Sequence, residues 1–353
     1  MKASILSAVA ALSLLATAAH AEDAPKWSLA IHGGAGVIER AELSPERDAA
    51  YRAALQTALN AGSAVLANGG SALDAVQAAV QSMEDNPLFN AGRGAVFTAA
   101  GKNELDSAVM NGVDRTAGAV AGLTHTRHPI AAARAVMEKS PHVMLIGEGA
   151  ETFAASVGLE QVDPSFFFTE SRWQALLKAL RDKGLPLPAR PAGAPPEPST
   201  LARPVPLASL NEAPLDERKF GTVGAVALDS QGRLAAATST AGVFGKMPGR
   251  VGDTPIPAAG TWADDHAAVS CTGQGEYFIR VAAAARTAFG VAAGQPLAEA
   301  AQATIDRIGG LGGDGGLIAL DRQGNITHPF NSQGMKRAWL TTDGEVGVQV
   351  FDQ

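Results

Sequence analysis

The strongest constraint on the fold is a run of small and apolar residues at 223–228 that contains no polar side chain. Gly221 and Thr222 stand directly before it, and the turn residues Ser230-Gln231-Gly232 follow it. This pattern predicts a buried β-strand. Thr222 is then either a β-branched residue at a strand start or a nucleophile that becomes a new N-terminus when the Gly221–Thr222 bond is cut. The local sequence alone favours the first interpretation.

The composition is that of a globular, core-forming chain, since 46% of its 353 residues are hydrophobic and 18% are charged. The 28 Lys and Arg residues oppose 35 Asp and Glu residues without any basic cluster, so no nucleic-acid partner is indicated. Cys271 is the only cysteine, which excludes an intramolecular disulfide. Because it lies in an apolar run, we predict a buried small side chain rather than a nucleophile.

Residues 1–21 have the pattern of a secretory signal peptide. Lys2 gives a positive start, residues 5–18 are apolar, and Ala19-His20-Ala21 fits a cleavage site of small residues. We therefore expect cleavage after Ala21 and a secreted or periplasmic protein, with an uncleaved membrane tether as the alternative. No other stretch approaches membrane-spanning length, so no membrane partner is expected.

Capping residues and periodicity predict two helices after a first strand at 27–32. Ser44 and Pro45 begin one helix, which ends at Asn68, and Ser71 begins the next, which runs to about Met83. Further strands are predicted at 105–110, 117–123, 143–146 (buried), 234–240, 267–271 and 317–320, and helices at 130–138, 172–181, 277–290 and 297–308. The helices cluster apart from strands joined by hairpins, which predicts antiparallel sheets sandwiched between helices.

Two segments lack the pattern of regular structure. Residues 84–94 contain a proline, two glycines and two asparagines, and such a loop either binds a hard cation through backbone carbonyls or simply turns the chain. Residues 184–214 contain nine prolines and are predicted to be an exposed, mobile connector. Its place just before Thr222 suits an internal processing site, although an interdomain linker has the same composition.

Several residues are complementary parts of one reaction, although each also has a structural explanation. An N-terminal Thr222 would supply its own base, because an α-amine has a pKa of about 7.7–8.0. The hydroxyl of Thr272 and the N–H of Gly273 can stabilise an oxyanion. Arg250 and Asp253 can bind the carboxylate and the ammonium of an α-amino acid.

Eight motifs occur in order along residues 27–340: His32-Gly33-Gly34-Ala35-Gly36, Asn86-Pro87-Leu88-Phe89-Asn90-Ala91-Gly92, Glu104-Leu105-Asp106, Ser140-Pro141-His142-Val143-Met144, Gly221-Thr222-Val223-Gly224-Ala225-Val226-Ala227-Leu228-Asp229, Ala237-Thr238-Ser239-Thr240, Pro248-Gly249-Arg250-Val251-Gly252-Asp253 and Ser270-Cys271-Thr272-Gly273. With these motifs the chain resembles the plant-type asparaginase/isoaspartyl peptidase family of N-terminal-nucleophile hydrolases.

The resemblance implies an α+β fold, an αββα four-layer sandwich, made as one inactive precursor. Thr222 Oγ1 would attack the Gly221 carbonyl, and cleavage would give an α subunit of residues 22–221, with the connector at 184–214 near its end, and a β subunit of residues 222–353. These fragments would assemble as (αβ)2. Gly221 suits this role as a strained residue without a side chain.

The resemblance also implies residue roles. Thr240 orients the nucleophile, and Asn90 lies near it. Arg250 and Asp253 hold the substrate, Thr272 and Gly273 form the oxyanion hole, and Gly275 lies on the substrate loop. No catalytic cofactor is implied, but a structural sodium ion is, bound by the backbone carbonyls of Met83, Glu84, Asn86, Phe89, Ala91 and Arg93.

The implied reaction is hydrolysis of L-asparagine to L-aspartate and ammonia, and of β-aspartyl dipeptides. Two alternatives remain open: a glycosylasparaginase, although that family usually has Asp where Gly221 stands, and an unprocessed secreted binding protein of the same fold. Gln274 departs from the pattern, because a smaller residue is common there, so the leaving-group preference can differ.

Overall fold

The computed structural model describes residues 26–36, 43–196 and 221–351. The predicted signal peptide at 1–21 and residues 197–214 of the predicted connector lie outside the described residues. The described strands form an eight-stranded and a four-stranded sheet, packed face to face with helices on both outer sides. The αββα four-layer sandwich of the α+β class is confirmed.

The larger sheet has the strand order β12-β11-β1-β5-β6-β2-β3-β4. Its strands are β1 (Ser28–Gly36), β2 (Leu105–Asn111), β3 (Ala117–Leu123), β4 (Met144–Ile146), β5 (Val223–Leu228), β6 (Leu234–Thr240), β11 (Gly334–Thr341) and β12 (Val346–Gln349). Neighbours are antiparallel except β3 and β4, which are parallel. The strand predicted from residues 223–228 therefore lies near the centre of the sheet.

The smaller sheet has the order β10-β9-β8-β7 and is antiparallel. Its strands are β7 (Thr261–Ala263), β8 (Ala267–Gly273), β9 (Gly315–Asp321) and β10 (Ile326–Thr327). The helices are α1 (Pro45–Ala67), α2 (Ala72–Glu84), α3 (Pro129–Lys139), α4 (Gly147–Ser156), α5 (Glu170–Asp182), α6 (Gly275–Val281), α7 (Ala283–Ala292) and α8 (Leu297–Gly309). Helices α1, α2 and α3 cover the larger sheet, and α7 and α8 cover the smaller one.

Strand β5 is apolar throughout because both of its faces are buried. Val223 and Ala225 belong to the core formed with the helices of the larger sheet. Val226 and Leu228 belong to the core between the two sheets, where they meet residues such as Ile318. Alternate side chains of a strand point to opposite faces, so a strand inside a four-layer sandwich has no solvent-facing position for a polar residue.

The predicted starts of the first two helices are confirmed. Ser44 caps α1 by accepting a hydrogen bond from the backbone N–H of Arg47, and Pro45 is the first helical residue. Ser71 caps α2 by accepting from the backbone N–H of Asp74 at 3.1 Å. Local capping chemistry therefore determines where this helical layer begins.

The single helix predicted at 277–290 is wrong. Ala282 has a left-handed backbone with φ of 51°, which ends α6 and begins α7. The N–H groups of Ala284 and Ala285 donate to the carbonyls of Ala259 and Ala258, at 3.1 and 3.0 Å, instead of continuing one helical ladder. The break is thus stabilised by a loop that is distant in sequence.

The burial predicted for the strand at 143–146 is also wrong. Strand β4 is the edge of the larger sheet, and Ile146 is 66% exposed. By contrast, Cys271 is fully buried, as predicted. No helix within the described ranges is both long enough and apolar enough to cross a membrane.

The described beginning of the predicted connector contacts the fold. Pro188 lies beside Gly101 and Trp173, close enough that a Cβ added to Gly101 would be 3.0 Å from it. The Arg190 guanidinium forms an ion pair with Glu170 and lies 4.7 Å from the centre of the Phe168 ring. Residues 184–196 therefore follow the surface of α5.

Candidate active site

Thr222 lies at the entrance to β5, beside the end of β6, and is 6% exposed. Its hydroxyl donates to Thr240 Oγ1 at 3.1 Å. Thr240 Oγ1 also accepts from the backbone N–H of Gly242 at 3.0 Å, which holds this oxygen in place. The β5–β6 hairpin, in which Val223 pairs with Ser239, brings the two threonines together.

A small cavity opens at this pair of threonines. Its lining residues are Thr222, Thr240, Gly242, Val243, Arg250, Gly252, Asp253, Thr254 and Gly273. Five residues singled out in the sequence therefore converge on one cavity, although they come from the residue before β5, the end of β6, the 242–254 loop and the end of β8. The cavity carries a hydroxyl nucleophile candidate, one cation and one anion.

Arg250 offers one edge of its guanidinium to this cavity. Its other edge is occupied, because Nε and Nη2 donate to the two carboxylate oxygens of Glu276 at 2.9 and 2.8 Å. A Cβ added to Gly252 would lie 2.8 Å from Nη1, so only glycine lets the guanidinium lie this close to the backbone. Glu276 thus orients Arg250 and leaves Nη1 available to a carboxylate.

Asp253 supplies the negative charge of the cavity. Its side chain is buried, and among the described residues Oδ2 has no hydrogen-bond partner. Burial raises the pKa of this carboxyl to about 6, and the nearby Arg250 opposes the rise. Gly275 packs against it, since an added Cβ would be 2.8 Å from Asp253 Oδ1. A buried carboxylate with one unpartnered oxygen is a good receptor for an ammonium group.

Thr272 and Gly273 end β8 beside the cavity. Thr272 is fully buried, and its Oγ1 accepts from the backbone N–H of Ala35 at 3.2 Å. That bond uses an oxygen lone pair and leaves the hydroxyl hydrogen for another acceptor. A Cβ on Gly273 would lie 2.3 Å from the Phe278 ring, so the backbone there has no room for a side chain.

Asn90 connects the Gly221–Thr222 bond to the rest of the site. Its backbone N–H donates to the Gly221 carbonyl at 3.2 Å, and its side-chain amide donates to the Gly242 carbonyl at 2.7 Å. A Cβ on Gly221 would lie 2.5 Å from the Asn90 Cβ. Close packing against Asn90 therefore accounts for a glycine at this position.

The predicted sodium loop folds back on itself. A Cβ on Gly92 would be 2.3 Å from the Glu84 carbonyl oxygen, and one on Gly94 would be 1.9 Å from the Phe89 carbonyl oxygen. The Glu84 and Phe89 carbonyl oxygens thus pack against glycines of the same loop, and backbone oxygens are a ligand type that a hard cation prefers. The other predicted ligands, Met83, Asn86, Ala91 and Arg93, belong to the same segment. No cluster of three acidic, His or Cys side chains suitable for a metal occurs in the described part of the chain.

Three buried polar side chains around the site were given no side-chain role from the sequence. Glu84 accepts from Ser239 Oγ at 2.6 Å, next to Thr240, and burial raises the pKa of its carboxyl. The Lys246 ammonium lies 3.7 Å from carboxylates of Glu104 and Asp106, which ties the loop before Arg250 to β2. His32 is the third. The sequence feature that could have identified Glu84 is an acidic residue on the apolar face of α2.

Comparison with known proteins finds relatives that match most of the chain. A family model described as Asparaginase matches residues 25–350. The isoaspartyl peptidase of Escherichia coli is 49% identical over 322 residues, covering 89% of this chain and 92% of that protein. The plant-type L-asparaginase of Thermococcus kodakarensis is 42% identical, with 89% and 96% covered. The isoaspartyl peptidase/L-asparaginase of Bos taurus is 38% identical, with 90% and 93% covered.

Proposed function

The chain belongs to the asparaginase family, and from this premise we propose that it hydrolyses L-asparagine and N-terminal β-aspartyl dipeptides through an acyl-enzyme on Thr222. The observation that carries the proposal is the cavity that Thr222 shares with Arg250 and Asp253. A site with one cation and one anion beside a hydroxyl matches the α-carboxylate and α-ammonium of an aspartyl group. The names of the relatives support the same substrates.

The proposed activation is cleavage between Gly221 and Thr222. Thr222 Oγ1 attacks the Gly221 carbonyl, the acyl group moves from nitrogen to oxygen, and water hydrolyses the ester. The N–H of Asn90 at the Gly221 carbonyl supports this step, because a donor there stabilises the developing oxyanion. The products would be residues 22–221 and 222–353, which we expect to assemble as (αβ)2.

In the mature enzyme the free α-amine of Thr222 takes the proton of its own hydroxyl. Arg250 binds the substrate carboxylate and ionised Asp253 binds the ammonium, which places the β-carbonyl at Thr222 Oγ1. Thr272 Oγ1 and the Gly273 N–H stabilise the oxyanion. Ammonia or an amino acid leaves with the transferred proton, and water then releases L-aspartate and restores the hydroxyl.

We also propose a structural sodium ion in the loop that contains Glu84 and Phe89, held by backbone carbonyls. When bound, the ion would supply a fixed positive charge that keeps these oxygens together. Two side chains of this loop contact the candidate active site: the amide of Asn90 donates to the Gly242 carbonyl, and the carboxylate of Glu84 accepts from Ser239. Secretion with cleavage after Ala21 remains a proposal supported by the sequence.

The test is a Thr222→Ala variant, with Thr327→Ala as the matched control because Thr327 lies in β10 and does not line the cavity. On a denaturing gel the wild type and the control should give two fragments, the smaller beginning at Thr222. The Thr222→Ala variant should stay intact and release no ammonia from L-asparagine. Ammonia release by that variant would contradict the nucleophile assignment.

The same assay separates the alternatives. A glycosylasparaginase would prefer asparagine bearing a glycan over both asparagine and β-aspartyl-leucine. A binding protein of this fold would remain one chain and hydrolyse none of the three.

A further inference from the structure

His32 is a buried titratable residue with no role in the proposed reaction. It lies in β1, opposite Gly224 of β5, and is fully buried. Its Nδ1 is 3.1 Å from the Thr222 carbonyl oxygen, and its Nε2 is 2.9 Å from Ser270 Oγ. A Cβ on Gly224 would lie 2.4 Å from Nε2 and 2.0 Å from Ser270 Oγ. The glycine in β5 therefore makes room for the contact between His32 and Ser270.

The ring is neutral and in one tautomer. Burial lowers the pKa of His32 to about 3, against the opposing effect of the hydrogen bond to Thr222. A carbonyl oxygen only accepts, so the hydrogen must be on Nδ1, which donates to Thr222. Nε2 then carries a lone pair and accepts from the Ser270 hydroxyl.

The tautomer is reinforced by a chain of hydroxyls between the two sheets. Ser270 Oγ lies 2.7 Å from Thr238 Oγ1, which lies 2.7 Å from Thr261 Oγ1. Because Ser270 gives its hydrogen to His32, Thr238 must donate to Ser270, which leaves Thr238 Oγ1 as acceptor for Thr261. The hydrogen bonds are therefore all donated in one direction, from Thr261 through Thr238, Ser270 and His32, and the last one is accepted by the Thr222 carbonyl oxygen. All of these residues are buried.

We propose that His32 is a positioning residue that keeps Thr222 in its orientation once the bond to Gly221 has been cut. The inference rests on the proposed function, in which Thr222 becomes an N-terminus. Cleavage leaves Thr222 attached only through its carbonyl side, so its amine and hydroxyl can turn together about the Cα–C bond. Nδ1–H of His32 fixes the carbonyl, Thr240 fixes the hydroxyl, and the two contacts together fix that rotation.

Two substitutions separate the two ring contacts. The side-chain amide of Asn places its nitrogen near the position of Nδ1, so His32→Asn keeps the donor to Thr222 and loses Ser270. Gln reaches the position of Nε2, so His32→Gln keeps Ser270 and loses the donor to Thr222. We expect kcat of His32→Asn within about threefold of wild type and kcat of His32→Gln lower by about tenfold, the effect of one buried hydrogen bond.

KM for L-asparagine should change less than twofold in both variants, because the hydrogen bonds of His32 go to Thr222 and Ser270 and not to the substrate-binding Arg250 or Asp253. A role limited to holding the sheets together predicts the opposite order, since only His32→Gln keeps the bond to Ser270. Each kcat is divided by the fraction of chains that begin at Thr222, measured by mass spectrometry, so a processing defect is counted separately. Melting temperatures of the variants report any general loss of folding.

Equal kcat values for the two His32 variants, or a lower value for His32→Asn, would overturn the positioning role. If neither variant folds, Ser270→Ala decides, because it removes only the hydroxyl that reinforces the tautomer. It should lower kcat about two- to threefold at constant KM, and an unchanged kcat would overturn the inference. A wild-type enzyme that is never cleaved and hydrolyses nothing would instead contradict the proposed function itself.

Discussion

Replacing Asp253 by Asn should stabilise the free protein while removing substrate binding. The carboxyl is buried, and burial raises its pKa to about 6. The rise from 3.8 to about 6 means that ionising this group costs the folded state about 3 kcal/mol, since one pKa unit is about 1.36 kcal/mol. An Asn amide has no charge to bury, but its own unpaired polar atoms cost about 1–3 kcal/mol. We therefore expect a net gain of up to about 2 kcal/mol at pH 8.

The pH dependence of this gain has a definite sign. The folded protein binds the Asp253 proton more tightly than the unfolded chain does, because the folded pKa is the higher one. The contribution of Asp253 to stability therefore falls as pH rises from about 4 to about 6, and is constant above that range. The stability difference between Asp253→Asn and wild type should grow over the same interval and then stay level.

The assay is thermal unfolding from pH 4 to pH 8, done in a Thr222→Ala background so that each protein is one uncleaved chain. Taking the difference between the two proteins cancels other groups that titrate in this range. The Asn variant should melt up to roughly 3 °C higher at pH 8. Adding L-aspartate should raise Tm of the Asp253 protein and leave the Asn variant unchanged. An Asn variant that melts lower at pH 8, or a difference independent of pH, would refute this reasoning.

Three further substitutions test the surroundings of the cavity. Gly252→Ala places a Cβ 2.8 Å from Arg250 Nη1, so KM for L-asparagine should rise at least about tenfold with a smaller change in kcat, measured by ammonia release. Glu276→Gln removes the charged partner that orients Arg250, so KM should rise a few-fold; a lower KM would show instead that Glu276 competes with the substrate carboxylate. Gly221→Ala places a Cβ 2.5 Å from the Asn90 Cβ, so cleavage before Thr222 should slow, and a gel time course as fast as wild type would contradict the packing argument.

Local chemistry explains which parts of the fold the sequence predicted well. Ser44 and Ser71 cap helices whatever lies around them, because the hydrogen bonds that they accept come from residues three positions later. The apolar run of β5 likewise needs no partner to be recognised. The break at Ala282 was missed because it depends on carbonyls of Ala258 and Ala259, more than twenty positions earlier. Strands β11 and β12 were missed as well, although β11 completes the larger sheet beside β1.

The sequence by itself determined which chemical groups are available: the hydroxyl of Thr222 after a glycine, the fork of Arg250 and the carboxyl of Asp253. Only the tertiary structure decided that they share one cavity, that burial raises the pKa of Asp253, and that Glu276 takes one edge of Arg250. It also decided that His32 reaches the carbonyl of Thr222 from 190 positions away. Reactive groups are properties of single residues, whereas burial, pairing and orientation arise from contacts between segments that are distant along the chain.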